Sequence, residues 1–118
     1  MSGTRRLRWR DYQTAAEHRP VKQFLDRLSD EEAAAVVAAM KEVATLGLPC
    51  ARHLRGDVYE VRADADRRSF RLLFAQETKF ILLALSGFEK KTQKTPAQEL
   101  ERAERRLKDW RSRARSRP

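Results

Sequence analysis

The chain has 118 residues, 41% of them hydrophobic and 36% charged, and carries a net charge of +9. That length supports one domain with a modest core, and that charge implies an anionic partner: nucleic acid, ribosome, an acidic protein or an anionic surface. One cysteine, Cys50, and two histidines exclude an internal disulfide and a Cys/His metal framework, so the expected metal set and cofactor set are both none.

In chain order, Leu7-Arg8-Trp9-Arg10 alternates apolar and basic residues, as a half-buried strand does. Pro20 fits the first turn of a helix, and Val21, Phe24, Leu25 and Leu28 then recur at helical spacing. Ser29 followed three residues later by Glu32 is a capping-box pattern. It opens a second, alanine-rich helix with Val36, Met40 and Val43 as its apolar stripe. Gly47 and Pro49 end it. Together these elements read as a helical hairpin.

After a loop, Val58-Tyr59-Glu60-Val61-Arg62 alternates, with Tyr59 and Val61 on one face and Glu60 and Arg62 on the other. A turn at residues 64–68 leads to a strand in which Phe70, Leu72 and Phe74 oppose Arg71 and Leu73. A second turn at residues 76–78 leads to the unbroken apolar run from Phe80 to Leu85, which suits a central strand covered on both faces. Three such strands with short connections form an antiparallel meander. Pro96 starts the last helix, with Leu100, Ala103, Leu107 and Trp110 as its stripe. Beyond Trp110 an arginine-rich tail, from about residue 111, is expected to be mobile.

The expected fold is α+β: a small antiparallel sheet, built from a first strand, a helical hairpin and a three-stranded meander, with a C-terminal helix. The helices are expected on one face, leaving Glu60, Arg62 and Arg71 on the other. No apolar run follows the N-terminal arginines as in a signal peptide, and no segment approaches a membrane span. The expected location is cytoplasmic, with no membrane partner.

The most informative stretch is Gly87-Phe88-Glu89-Lys90-Lys91-Thr92-Gln93-Lys94-Thr95-Pro96. It sits where a strand ends and a helix begins, a place that can hold several cations close together for a polyanion.

The order of elements resembles that of the RelE/HigB/ParE superfamily of toxins from type II toxin–antitoxin pairs, and most of all its phage-derived HigB-like branch. The residues that carry the likeness are Gly56-Asp57-Val58-Tyr59-Glu60-Val61-Arg62, Phe70-Arg71-Leu72-Leu73-Phe74, Leu83 to Phe88, and Lys90 to Pro96. Glu99, Glu101-Arg102-Ala103 and Arg106 extend it into the last helix. The family often has Leu-His-Gly-Phe where this chain has Leu85-Ser86-Gly87-Phe88. The resemblance implies a RelE-like fold and a metal-independent endoribonuclease that cuts messenger RNA at the ribosome and inhibits translation. It further implies silencing by a cognate antitoxin of helix-turn-helix type and no small-molecule cofactor. ParE-type members of the same fold act on DNA gyrase instead.

Metal-free RNA cleavage needs a base for the ribose 2′-hydroxyl, cations for the phosphorane and an acid for the departing 5′-oxygen. The candidate catalytic residues are Arg62, Arg71, Lys90 and Lys91. The arginines suit phosphate binding, with a cross-strand salt bridge to Glu60 as the alternative. The lysines suit acid–base work or charge stabilisation, because neighbouring positive charge makes a neutral amine more accessible. A solvated turn is the alternative. His53, Phe88, Thr92 and Lys94 are candidate RNA-binding residues: His53 lies just before the second strand and is expected to reach the open face, Phe88 offers a face for base stacking, and Thr92 and Lys94 position the backbone. Each has a plain counterpart, an exposed loop histidine or a core phenylalanine.

Three functions stay open on sequence: a ribosome-dependent endoribonuclease toxin, a non-enzymatic toxin that binds a protein such as gyrase, and a basic nucleic-acid-binding module. Clustering of the four cations on an open face favours the first. A face covered by the last helix favours the second.

Overall fold

The computed structural model describes residues 6–116, and side chains as far as residue 114. The elements are β1 (Arg8–Asp11), α1 (Pro20–Asp26), α2 (Asp30–Leu46), a 3-10 turn (Leu48–Cys50), β2 (Arg52–Arg55), β3 (Val58–Ala65), β4 (Arg68–Gln76), β5 (Ile81–Glu89) and α3 (Ala97–Ser116). The strands form one sheet in the order β1-β5-β4-β3-β2. This is the expected α+β domain with a C-terminal helix, and it is compatible with a RelE-like fold.

Two details of the sheet correct the sequence reading. The sheet is mixed, because β1 runs parallel to β5, with Trp9 beside Leu82. The helical hairpin carries the chain across to the far edge, and three antiparallel pairings bring β5 back beside β1 in the same direction. Where a loop was expected, Arg52–Arg55 adds a strand on β3. This edge strand has one apolar residue, Leu54, and charge on an edge is how proteins discourage unwanted pairing.

The helices start and stop for local reasons. The Ser29 hydroxyl accepts from the Glu32 backbone N–H (3.1 Å), and the Glu32 carboxylate accepts from the Ser29 N–H (2.9 Å). A cap of this kind contributes about 1 kcal/mol. Gly47, at φ 83°, ends α2 in a conformation that costs other residues more. Between β3 and β4, Asp66 (φ 51°) and Arg67 (φ 63°) both adopt left-handed backbone, the pattern of a tight hairpin turn matched to strand twist.

Helices cover both faces of the sheet, not one. On the first face Val21, Phe24, Val36, Met40 and Val43 of α1 and α2 pack on Val61, Phe70, Leu72, Phe74, Leu82 and Ala84. Tyr59 joins this core from its edge, as the alternation in β3 predicts. On the second face Ala103 and Leu107 of α3 pack on Val58, Leu73, Ala75, Leu83 and Leu85. The apolar run of β5 is therefore buried on both sides, which explains why its sequence does not alternate.

α3 also takes in the basic stretch expected to leave the domain at residue 111. The helix continues to Ser116. Arg111 bridges Asp57 (2.8 Å) and Glu77 (3.0 Å). Arg113 pairs with Asp109 at 2.9 Å and donates to the Gln13 carbonyl. Asp57, Glu77 and Gln13 lie far from the tail in sequence, which is why composition alone suggested a free end. Arg117 and Pro118, and Met1 to Arg5 at the other terminus, lie outside the described residues. Among the described residues no helix is long and apolar enough to cross a membrane.

Candidate active site

Arg62 and Arg71 are direct cross-strand partners in β3 and β4, and Arg71 is in turn opposite Phe88 in β5. Directly opposed residues project to the same face. The two guanidiniums therefore stand side by side on the α3 face, beyond the part that α3 covers. Lys90 follows β5 immediately and extends its ladder, donating its backbone N–H to the Ser69 carbonyl at 2.7 Å. The result is an open depression of about 400 Å³ lined by Arg62, Arg71, Lys90 and Lys91, with Thr92, Gln93 and Ser69 completing it.

The two arginines differ in freedom. Arg71 is 8% exposed. Its Nη1 donates to the Ser69 hydroxyl (2.5 Å) and the Phe70 carbonyl (3.1 Å), and its Nε lies 3.6 Å from Glu60 Oε1. It is a fixed cation. Arg62 is exposed and donates from Nε to Asp64 at 2.8 Å. The Ser69 hydroxyl first, and then the Arg62 guanidinium, hold the Asp64 carboxyl below its ordinary range against the cost of desolvation. Among the described residues, Lys90 and Lys91 have no ion-pair partner. Lys91 is near enough to Glu89 to add to the lowering of that carboxyl, which Arg68 dominates. One fixed, buried guanidinium and one exposed guanidinium therefore stand beside two ammonium groups that have no ion-pair partner among the described residues, a grouping of cations suited to an anion.

Glu60 is buried and fully engaged. Its Oε1 faces Arg71, and its Oε2 accepts the hydroxyl hydrogen bond of Thr95. It joins the sheet to the loop that carries the lysines.

Of the other candidates, Thr92 lines the depression and donates its hydroxyl to the Lys94 carbonyl at 3.0 Å, closing the loop on itself. Phe88 lies beside Arg71 but is half-buried and packs into the α3 core. It thus serves as a partial core anchor at the end of the sheet. Lys94 is exposed outside the lining. His53 is not brought to the site. It pairs with Tyr59 and so shares the α2 face, where its ring tilts against Tyr59 at 5.0 Å and its Nε2 contacts the Gly56 carbonyl at 2.7 Å. The histidine's side depends on the register of β2, a strand the sequence does not announce.

That same register exposes a residue the sequence reading missed. Arg52 lies opposite Glu60 in β2 and so shares the α3 face with Arg62, one diagonal away. Arg52 is exposed. Gln93 and Ser69 were also missed, since neither carries charge. Among the described residues no group of three or more His, Cys, Asp or Glu is placed to hold a metal ion.

Residues 23–108 match the model of the family described as phage-derived protein Gp49-like (DUF891). The chain belongs to this family. Over 105 residues it is also 33% identical to proteins named probable endoribonuclease HigB1 from two Mycobacterium tuberculosis strains, CDC 1551/Oshkosh and ATCC 25618/H37Rv. The match covers 86% of this chain and 83% of each relative. Membership in the Gp49-like family agrees with the RelE/HigB-like resemblance carried by the Tyr59–Arg62 and Gly87–Pro96 segments.

Proposed function

We propose that this Gp49-like chain is the toxin of a toxin–antitoxin pair and acts as a metal-independent endoribonuclease on messenger RNA, in the cytoplasm and at the ribosome. The observation that carries the reading is the convergence of Arg62, Arg71, Lys90 and Lys91 on one open depression, supported by the identity to proteins named as endoribonucleases. A cognate antitoxin, of helix-turn-helix type, is the partner that silences it.

In this reading Arg71, fixed from three sides, and Arg62, at the rim, bind the non-bridging oxygens of the scissile phosphate. The ribose 2′-oxygen is the nucleophile. One of the two lysines takes its proton and a protonated one supplies a proton to the leaving 5′-oxygen, while the guanidiniums neutralise the phosphorane. The P–O5′ bond breaks, leaving a 2′,3′-cyclic phosphate and a 5′-hydroxyl. Glu60 is not the base, because Thr95 and Arg71 occupy its carboxylate.

α3 covers part of the same face, which keeps a second reading in view: a ParE-like toxin that binds a protein such as gyrase. Controlled expression with mapping of transcript 5′ ends separates the two. Growth arrest with cleavage sites within reading frames supports the nuclease. Arrest with DNA damage and intact transcripts moves the assignment to the protein-binding toxin.

A further inference from the structure

We infer that Thr95 and Glu60 are positioning residues: a hydroxyl–carboxylate latch that sets the lysine loop over the arginine pair. The inference rests on the nuclease reading and extends it to residues that do not line the depression. Lys90 is held to the sheet by its backbone bond to Ser69. From Lys91 to Lys94 the chain is exposed, and its one internal side-chain bond, Thr92 to the Lys94 carbonyl, does not reach the sheet. Thr95 is the next residue that does.

The latch has a specific form. Glu60 is 5% exposed and sits in β3 opposite Leu73, two residues from Arg62. One carboxylate oxygen takes the Thr95 hydroxyl and the other faces Arg71 Nε. A single buried carboxylate thus fixes the far end of the lysine loop and the near arginine together. A loop tethered at both ends has fewer states to lose when RNA binds, and its ammonium groups stay in reach of the phosphate. Removing the hydroxyl releases one end without removing any group that touches substrate.

The test compares wild type, Thr95→Val and Thr95→Ser in single-turnover cleavage of a short RNA, with RNA affinity, thermal midpoint and amide exchange of residues 90–95 measured in parallel. Thr95→Val keeps the shape and loses the donor; Thr95→Ser keeps the donor. The expected result is a fall of about tenfold or more in cleavage rate at saturating RNA for Thr95→Val. Affinity stays within about threefold, amide exchange across the loop is faster, and Thr95→Ser recovers both rate and protection. Wild-type rate and protection in Thr95→Val overturn the latch, as does equal loss in both variants. So does a loss of rate explained by a lowered thermal midpoint. A wild-type chain that cuts no RNA overturns the nuclease reading instead, and loop exchange then decides the latch by itself.

Discussion

The ring of Phe24 lies directly on Gly87: a β-carbon there would stand 2.3 Å from Phe24 Cδ2 and 2.6 Å from Cε2. Phe24 is buried and packs edge-on to Phe70 at 6.2 Å, so the ring has nowhere to go. The glycine at the head of the lysine segment is thus required by packing, since α1 rests on the β5 backbone there. Gly87→Ala should destabilise the fold by about 1–3 kcal/mol. Urea denaturation measures this, and Phe24→Leu in the same chain should recover part of the loss, because the two sites share one contact.

The two arginines should separate binding from stability. Arg62 is exposed and its ion pair with Asp64 is worth little, so Arg62→Ala should leave the urea midpoint nearly unchanged. It should weaken RNA binding and reduce the slope of log affinity against log salt by about 0.7, the share of one phosphate contact on a single strand. Arg71→Met should do both kinds of damage. It leaves Glu60 buried without its cation, at a cost of about 1–3 kcal/mol, and also removes the fixed phosphate ligand. An Arg62→Ala chain with unchanged salt dependence would place that residue outside the RNA path.

Acid should weaken the domain through Glu32. Its carboxyl is held below the ordinary glutamate range, first by the Ser29 backbone N–H and, against desolvation, by Arg68. A lowered folded value means the unfolded chain binds the proton more readily. The stabilisation is therefore present above the unfolded value and is lost as pH falls through the folded one. Urea unfolding of wild type and Glu32→Gln between about pH 6 and pH 3 should show the gap between them narrowing toward acid. A constant gap would mean that the charge on Glu32 contributes nothing.

Truncation after Trp110 should cost stability. Arg111 ties α3 to Asp57 and Glu77, and Arg113 ties it to the Gln13 carbonyl while pairing with Asp109 one turn back in the same helix. Their loss should lower the unfolding free energy by about 1–2 kcal/mol. A truncated chain as stable as the full one would restore the reading of a free cationic tail.

What the sequence disclosed followed from how local each signal is. The start of α2 was legible because Ser29 and Glu32 cap within one turn. The shared face of Arg62 and Arg71 was legible because strand alternation fixes it in β3 and β4 separately. β2 was not, since Arg52–Arg55 becomes a strand only by pairing with Val58, Tyr59 and Glu60. With it went the side on which His53 falls and the exposed Arg52. The turn at Asp66 and Arg67 has no glycine to announce its left-handed backbone. The Thr95–Glu60 bond spans 35 residues, and no periodicity reports a contact of that kind.

The central claim, that the Arg62–Arg71 pair and the Lys90–Lys91 pair together make a nuclease site, is tested most directly by the rate and products of single-turnover RNA cleavage. The comparison is wild type against Lys90→Ala/Lys91→Ala, with RNA affinity measured alongside. The account predicts 2′,3′-cyclic phosphate and 5′-hydroxyl ends from wild type. It predicts a rate lower by about 100-fold or more in the double variant, the usual scale of lost acid–base catalysis, with affinity reduced only a few-fold. Equal rates in the two proteins, or products ending in 3′-hydroxyl and 5′-phosphate, would contradict it.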